Sequence, residues 1–181
     1  MSLDFKLSAM EINEILWRTN KTISTAESCT SGRIASYLTS VPGASSYFRG
    51  GLVAYSDDLK TSMLKVDANL IAEKTSVCEE VVRQMVIGAN EMFGSDYSIA
   101  VSGFAGPGGP DPKTGIRVGT IWIAAGNAEN LVTMQLTEDE GREHNIQKAV
   151  AAAMHMLVEI IKQDIPEEPA ESEEATTESA E

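Results

Sequence analysis

Two hydroxyls and a thiol, Ser28, Cys29 and Thr30, stand in a row, with Ser31 after them, inside the stretch AESCTSG (residues 26–32). Side chains of these types at a strand-to-helix corner serve four chemistries. They can carry a nucleophile, cradle a phosphate, run a redox cycle or cap a helix. Read locally, capping by Thr30 or Ser31 is the commoner use, while free N–H groups at a helix start also favour an anion or a developing oxyanion. Ser28 and Cys29 are rival nucleophiles, and as neighbours in the chain they point in different directions.

Two further segments carry residues of the kind a site needs. AYSDDLK places Tyr55 and Lys60 five residues apart across another strand-to-helix corner. A lysine acts as a base only where burial or a nearby cation lowers its pKa from about 10.4. SGFAGPGGP brings Ser102, Gly103 and Gly106 into a loop rich in Gly and Pro, which lets backbone approach a ligand closely. It is neither a Walker loop nor a GxGxxG turn. A histidine base is hard to find. His144 and His155 both fall in the last helical segment, and His155, among Ala152, Met154 and Leu157, is assigned to packing. A serine with a lysine base, Ser28 with Lys60, remains open. Two histidines and two cysteines give no cluster at metal-ligand spacing, so no zinc or iron site is expected.

The elements that must hold these segments follow from periodicity. Leu7, Met10, Ile15 and Leu16 recur at helical spacing over residues 7–20. A strand over 22–25 leads to the first corner and a helix to about residue 39. A strand over 47–55 contains Gly50-Gly51, a signal of a bulge or a close backbone approach, and Asp57 or Asp58 opens a helix through residue 64. Ser76 with Glu79 reads as a capping box for a helix over 77–93 that Gly94 stops. A buried strand over 96–102 precedes the glycine loop. Strands over 118–125 and 131–136 form a hairpin, and a helix covers 140–162. Helix and strand alternate, so the chain reads as an α/β domain with helices on both faces of a mixed sheet. All three candidate segments fall where strands end and helices begin, the place where open α/β sheets bind ligands.

The chain has 181 residues and a net charge of −13. Eight acids and no base lie in residues 164–181, so the rest carries only −5. One domain is expected over 1–163, followed by an acidic tail over 164–181 that lacks the apolar content for a core and is expected to be disordered. There is no basic stripe for nucleic acid and no apolar run long enough for a membrane helix. Asp4, Lys6 and Glu11 interrupt any leader-like stretch. A cytoplasmic protein with reduced Cys29 and Cys78 is the expectation.

Taken in order and spacing, TAESCTSG, VPGASSYFRGGLVAYSDDLK and VSGFAGPGGPDPKTGIRVGT resemble the C-terminal domain of the competence/damage-inducible protein CinA, over nearly the whole chain. Stand-alone versions of that domain are nicotinamide mononucleotide deamidases. The resemblance implies a three-layer α/β/α sandwich with a mixed, mostly parallel sheet of about five strands. It implies an amidohydrolase that converts nicotinamide mononucleotide to nicotinate mononucleotide and ammonia, with no cofactor or metal, in a homo-oligomer. It places the nucleophile at Ser28, the base at Lys60 and an assisting tyrosine at Tyr55. Backbone around Cys29, Thr30 and Gly32, the loop residues Ser102, Gly103 and Gly106, and Arg142 are expected to bind substrate. The N-terminal domain that CinA proteins often carry, linked to ADP-ribose pyrophosphatase activity, is not expected here, since the chain begins too late to hold it. Two residues depart from the family pattern. Ser102 replaces the threonine of TGxAGP, and Ser31 replaces a glycine of ESCTGG. The alternative is a non-catalytic module of the same fold that binds a nucleotide or a partner.

Overall fold

The computed structural model describes residues 3–164, and side chains from residue 7 onward. In chain order the elements are α1 (Leu3–Thr19), β1 (Ile23–Glu27), α2 (Arg33–Leu38), a 3-10 turn (Ala44–Ser46), β2 (Phe48–Val53), α3 (Asp57–Leu64), α4 (Ala68–Lys74), α5 (Glu79–Phe93), β3 (Tyr97–Gly103), β4 (Ile121–Gly126), β5 (Leu131–Leu136) and α6 (Arg142–Asp164). The strands form one sheet in the order β2-β1-β3-β4-β5. β1 pairs in parallel with β2 and β3, and β4 runs antiparallel to both of its neighbours, so four strands share a direction. This is the three-layer α/β/α sandwich with a mixed sheet that the sequence predicts.

The period of two along each strand divides the core between the two faces. Ile23, Ile99, Val101, Ile121 and Ile123 face α1, α2 and α6. On the other face Ala26, Ala100 and Ala124 stand in register across β1, β3 and β4. That row of small residues lets α5 lie close, with Val81, Val82, Met85 and Val86 buried against it. α5 itself carries Gly88, where a Cβ would overlap the Leu64 carbonyl at the end of α3. The glycine pair in β2 also has its expected meaning. The register slips between Ile23 and Ser24, so one residue bulges opposite them. A Cβ on Gly50 would lie 2.7 Å from the Phe93 ring.

Several expectations need correction. α2 starts at Arg33, and neither Thr30 nor Ser31 caps it. Gly32 holds the cap position in the left-handed region, with no side-chain cap bond. Ser76 does not cap α5 either, because Cys78 is the residue before its first turn. The helix α4 was not read from the sequence, although Asp67 caps it by accepting the Asn69 N–H at 2.8 Å. His155 is exposed rather than packed. The expected domain boundary after residue 163 falls at the last residue of α6, and the acidic segment 165–181 lies outside the described residues. No helix among the described residues is long and apolar enough to cross a membrane.

Candidate active site

β1 lies between β2 and β3, and the chain leaves it for β2 on one side while β3 pairs on the other. The carboxyl ends of these three strands therefore open a crevice at a switch point. The three segments meet there, around a cavity of about 430 Å³ lined by Ser28, Cys29, Tyr55, Lys60, Ser102, Gly103, Phe104, Gly106 and Arg142, with Ser76 and Val77 from the turn before α5. Thr30 and Gly32 are not on its lining.

Lys60 is the unusual member. It lies in the second turn of α3, which Ser56 caps by accepting the Leu59 N–H. Its side chain is almost wholly buried, and among the described residues its Nζ has one partner, Asp57 Oδ1 at 3.5 Å. Burial lowers its pKa below the ordinary lysine value, and the Asp57 carboxylate partly opposes that shift. Lys60 Nζ and Ser28 Oγ share the cavity but are not hydrogen-bonded to each other.

Ser28 and Cys29 differ in a way the sequence left open. Cys29 is 4% exposed, and burial pushes its thiol up to about 12, against the pull of the Arg142 and Lys60 charges. A thiol held protonated is a poor nucleophile. Ser28 follows β1 directly, and its N–H donates to the Val101 carbonyl at 2.9 Å, which locks the turn to β3. The Cys29 and Thr30 N–H groups donate to no other residue among those described. Thr30 Oγ1 is buried without a hydrogen-bond partner.

Arg142, the first residue of α6, reaches across the mouth of the cavity. Its Nη1 donates to the Gly106 carbonyl at 2.6 Å and its Nη2 to the Tyr55 hydroxyl at 3.3 Å. It thus ties the glycine loop to the segment after β2. The Ser102 hydroxyl is already committed, donating to the Ser76 carbonyl at 2.7 Å. Neither histidine lines the cavity, and no group of three or more His, Cys, Asp or Glu among the described residues could hold a metal.

Two residues that the sequence reading missed shape the site. The Asn145 side chain joins three loop groups. Its Nδ2 donates to the Ala105 carbonyl at 3.1 Å and to Asp139 Oδ1 at 2.9 Å, and its Oδ1 accepts the Glu140 N–H at 2.9 Å. It welds the glycine loop to the turn that launches Arg142. Glu27 is the other: its carboxylate takes the N–H groups at the start of α2 that were expected to be free for an anion. An acid ending an otherwise apolar and hydroxylic strand was the available signal.

Residues 6–161 match the family model for the CinA C-terminal domain. The chain belongs to that family. A CinA-like protein of Cytophaga hutchinsonii is 40% identical over 153 residues, 84% of this chain but 36% of the relative. The chain spans about a third of the length of such CinA-like relatives. It also matches a shorter protein, the nicotinamide-nucleotide amidohydrolase PncC of Pseudomonas putida, at 40% identity over 84% of this chain and 94% of that one. Among solved structures, the competence/damage-inducible protein CihA of Agrobacterium tumefaciens superposes with a TM-score of 0.82 at 32% identity, covering 88% of this chain and 99% of that one.

Proposed function

We propose that this protein is an amidohydrolase that deamidates nicotinamide mononucleotide, with Ser28 as nucleophile and Lys60 as base. The observation that carries the reading is the burial of Lys60 in the wall of the cavity that Ser28 enters, where its pKa is lowered. The similarity to PncC over nearly that protein's whole length supports the substrate. A lysine amine in water is protonated at neutral pH and takes no proton. A desolvated one holds a larger neutral fraction, even with the half-exposed Asp57 carboxylate 3.5 Å away partly opposing the shift.

In this reading Ser28 Oγ attacks the carboxamide carbon. A C–O bond forms, and the carbonyl electron pair moves to oxygen. The Ser28 proton passes to Lys60 Nζ, with the Tyr55 hydroxyl as relay. That hydroxyl accepts from Arg142 and so keeps its own hydrogen to donate. The N–H group of Cys29, which donates to no other described residue and belongs to a residue on the cavity wall, receives the oxyanion, the kind of donor whose loss costs about 10²–10³ in rate. On collapse the C–N bond breaks and the leaving nitrogen takes the proton from Lys60, departing as ammonia; water then hydrolyses the ester, giving the acid and returning a hydrogen to Ser28 Oγ. The substrate phosphate draws Arg142, whose fork suits it.

The test follows ammonia release from nicotinamide mononucleotide by wild type, Ser28→Ala and Lys60→Ala. The expected result is turnover by wild type and a loss of about 10³-fold or more in either variant. A fully active Ser28→Ala protein overturns the serine nucleophile. A folded but inactive wild type that still binds the nucleotide supports the binding module instead.

A further inference from the structure

Glu27 closes β1, one position before Ser28, and is 1% exposed. Its Oε2 accepts the Gly32 N–H at 3.0 Å and the Ile34 N–H at 3.2 Å, and its Oε1 accepts the Ala35 N–H at 2.9 Å. No lysine or arginine pairs with it among the described residues. A carboxylate this deeply buried without a cation is kept only where fixed dipoles replace its water. Three charge-assisted bonds to one helix start do that.

The bonds also fix geometry. The turn of residues 28–31 is held at its entry by the Ser28 N–H on the Val101 carbonyl and closed on itself by the Ser31 N–H on the Ser28 carbonyl at 3.1 Å. Glu27 holds its exit, because the amides it binds lie immediately beyond residue 31. Only the Cys29 and Thr30 amides are left over. Glu27 itself is absent from the cavity lining, and both its oxygens are engaged, so it does not take or give the proton.

We propose that Glu27 is a positioning residue. It tethers the first turn of α2 to the end of β1, and so sets where Ser28 Oγ and the Cys29 amide point. By occupying the helix start it also leaves oxyanion stabilisation to the Cys29 amide rather than to α2. The inference rests on reading Ser28 as the nucleophile.

The experiment compares wild type, Glu27→Gln and Leu38→Val. The last trims a buried side chain at the far end of α2 and leaves the carboxylate alone. Two readouts are taken: kcat and KM for ammonia release from nicotinamide mononucleotide, and amide hydrogen exchange over residues 28–35. Glutamine turns one acceptor oxygen into a donor that faces an N–H, so the tether loosens while the volume stays. For Glu27→Gln the expected result is a kcat lower by about 10- to 100-fold, the scale of a displacement near 1 Å, with KM within about threefold. Exchange over 29–35 speeds up by about tenfold or more. Leu38→Val keeps kcat within about twofold despite lower stability. Wild-type kcat in Glu27→Gln, or an equal loss in Leu38→Val, overturns the proposal. Should Glu27→Gln not fold, Glu27→Asp takes its place, with a carboxylate one methylene short and the same pattern expected. A wild type that releases no ammonia sinks the amidohydrolase reading. The tether is then decided by exchange alone, and unchanged protection in Glu27→Gln overturns it.

Discussion

Lys60 Nζ lies 3.5 Å from Asp57 Oδ1, one turn earlier on α3, and the two ends of the pair sit in different media: the lysine side chain is 2% exposed and the aspartate 53%. Burial favours the neutral amine, and Asp57 favours the charged one. Asp57 therefore restrains the form of Lys60 that the proposed chemistry uses. Replacing Asp57 with Asn removes the restraint. The limb of the kcat/KM profile that rises as Lys60 loses its proton should move to lower pH, so the variant outperforms wild type on the acid side of the midpoint. Because the carboxylate is half in water and screened, the gain should stay below about tenfold. A pH–rate profile of the two proteins checks this. A limb that stays in place removes Lys60 from the role of base.

The same burial has a cost in stability. The folded-state pKa of Lys60 lies below the ordinary lysine value of 10.5. At pH values between the two, the unfolded chain binds the extra proton, so stability rises with pH through that window. Below the folded-state pKa the penalty is fully present. Lys60→Met should therefore abolish turnover, by about 10²–10⁴-fold for a lost general base, and raise Tm at neutral pH. Its Tm should also rise less than that of wild type between neutral and alkaline pH. Thermal melts at several pH values decide it. A variant that melts lower than wild type throughout argues that the ammonium is well paired in the fold.

Cys29 sits beside Ser28 on the cavity wall and is the rival nucleophile. With its thiol pushed up to about 12, it stays protonated at working pH. Cys29→Ala should keep kcat within about tenfold, because only packing and the turn are disturbed. Wild type should also react slowly with iodoacetamide near pH 7. Rapid alkylation that tracks the loss of activity would reverse the assignment.

How far the sequence reaches is clearest at this corner. The alternation of elements, the bulge at Arg49 beside Gly50-Gly51, the stop at Gly94 and the three segments at the strand ends are all legible, because each is a local pattern or a matter of chain order. The contents of the helix start are not. Thr30 and Ser31 have the side chains of caps, yet Glu27 takes the amides, since the last residue of β1 points to the α2 face of the sheet. Asn145 looks like a helix-interior residue until the fold brings Ala105 and Asp139 to it. Whether Lys60 is buried depends on α5 and the loops around it, and no spacing encodes that.

Ser31 departs from the glycine of the family pattern, and its backbone explains why glycine suits the position. Its φ is 55°, in the left-handed region. An L-residue there costs about 1–2 kcal/mol, which the 3.5 Å contact of its hydroxyl with the Cys29 carbonyl does little to offset. Ser31→Gly relieves the strain but loosens the unfolded chain. A net gain of about 0.5 kcal/mol, or about 1–2 °C in Tm, is expected. Ser31 is exposed and absent from the cavity lining, so KM should not change. Thermal melts and steady-state kinetics of the variant test both halves. A KM that falls with the substitution would mean that the Ser31 side chain narrows the binding site.

Gly88 connects packing to the proposed base. It lies on α5 against the end of α3, where a Cβ would overlap the Leu64 carbonyl oxygen and come within 2.7 Å of its carbon. Leu64 closes the helix that carries Lys60 one turn earlier. The obstacle is backbone, which cannot rotate aside, so Gly88→Ala must push the two helices apart. Overpacking of this kind costs about 1–3 kcal/mol, a loss of roughly 2–4 °C in Tm per kcal/mol for a chain of this size. The displacement also carries Lys60 away from Ser28, so kcat should fall by about tenfold or more while KM holds. The neighbouring Ile87, half exposed on the outer face of α5, supplies the control, since Ile87→Ala leaves the helix contact untouched and should keep kcat. Melting curves and initial rates of the two variants separate the outcomes. Equal kcat in Gly88→Ala and wild type would show that α3 can shift without moving Lys60 relative to the nucleophile.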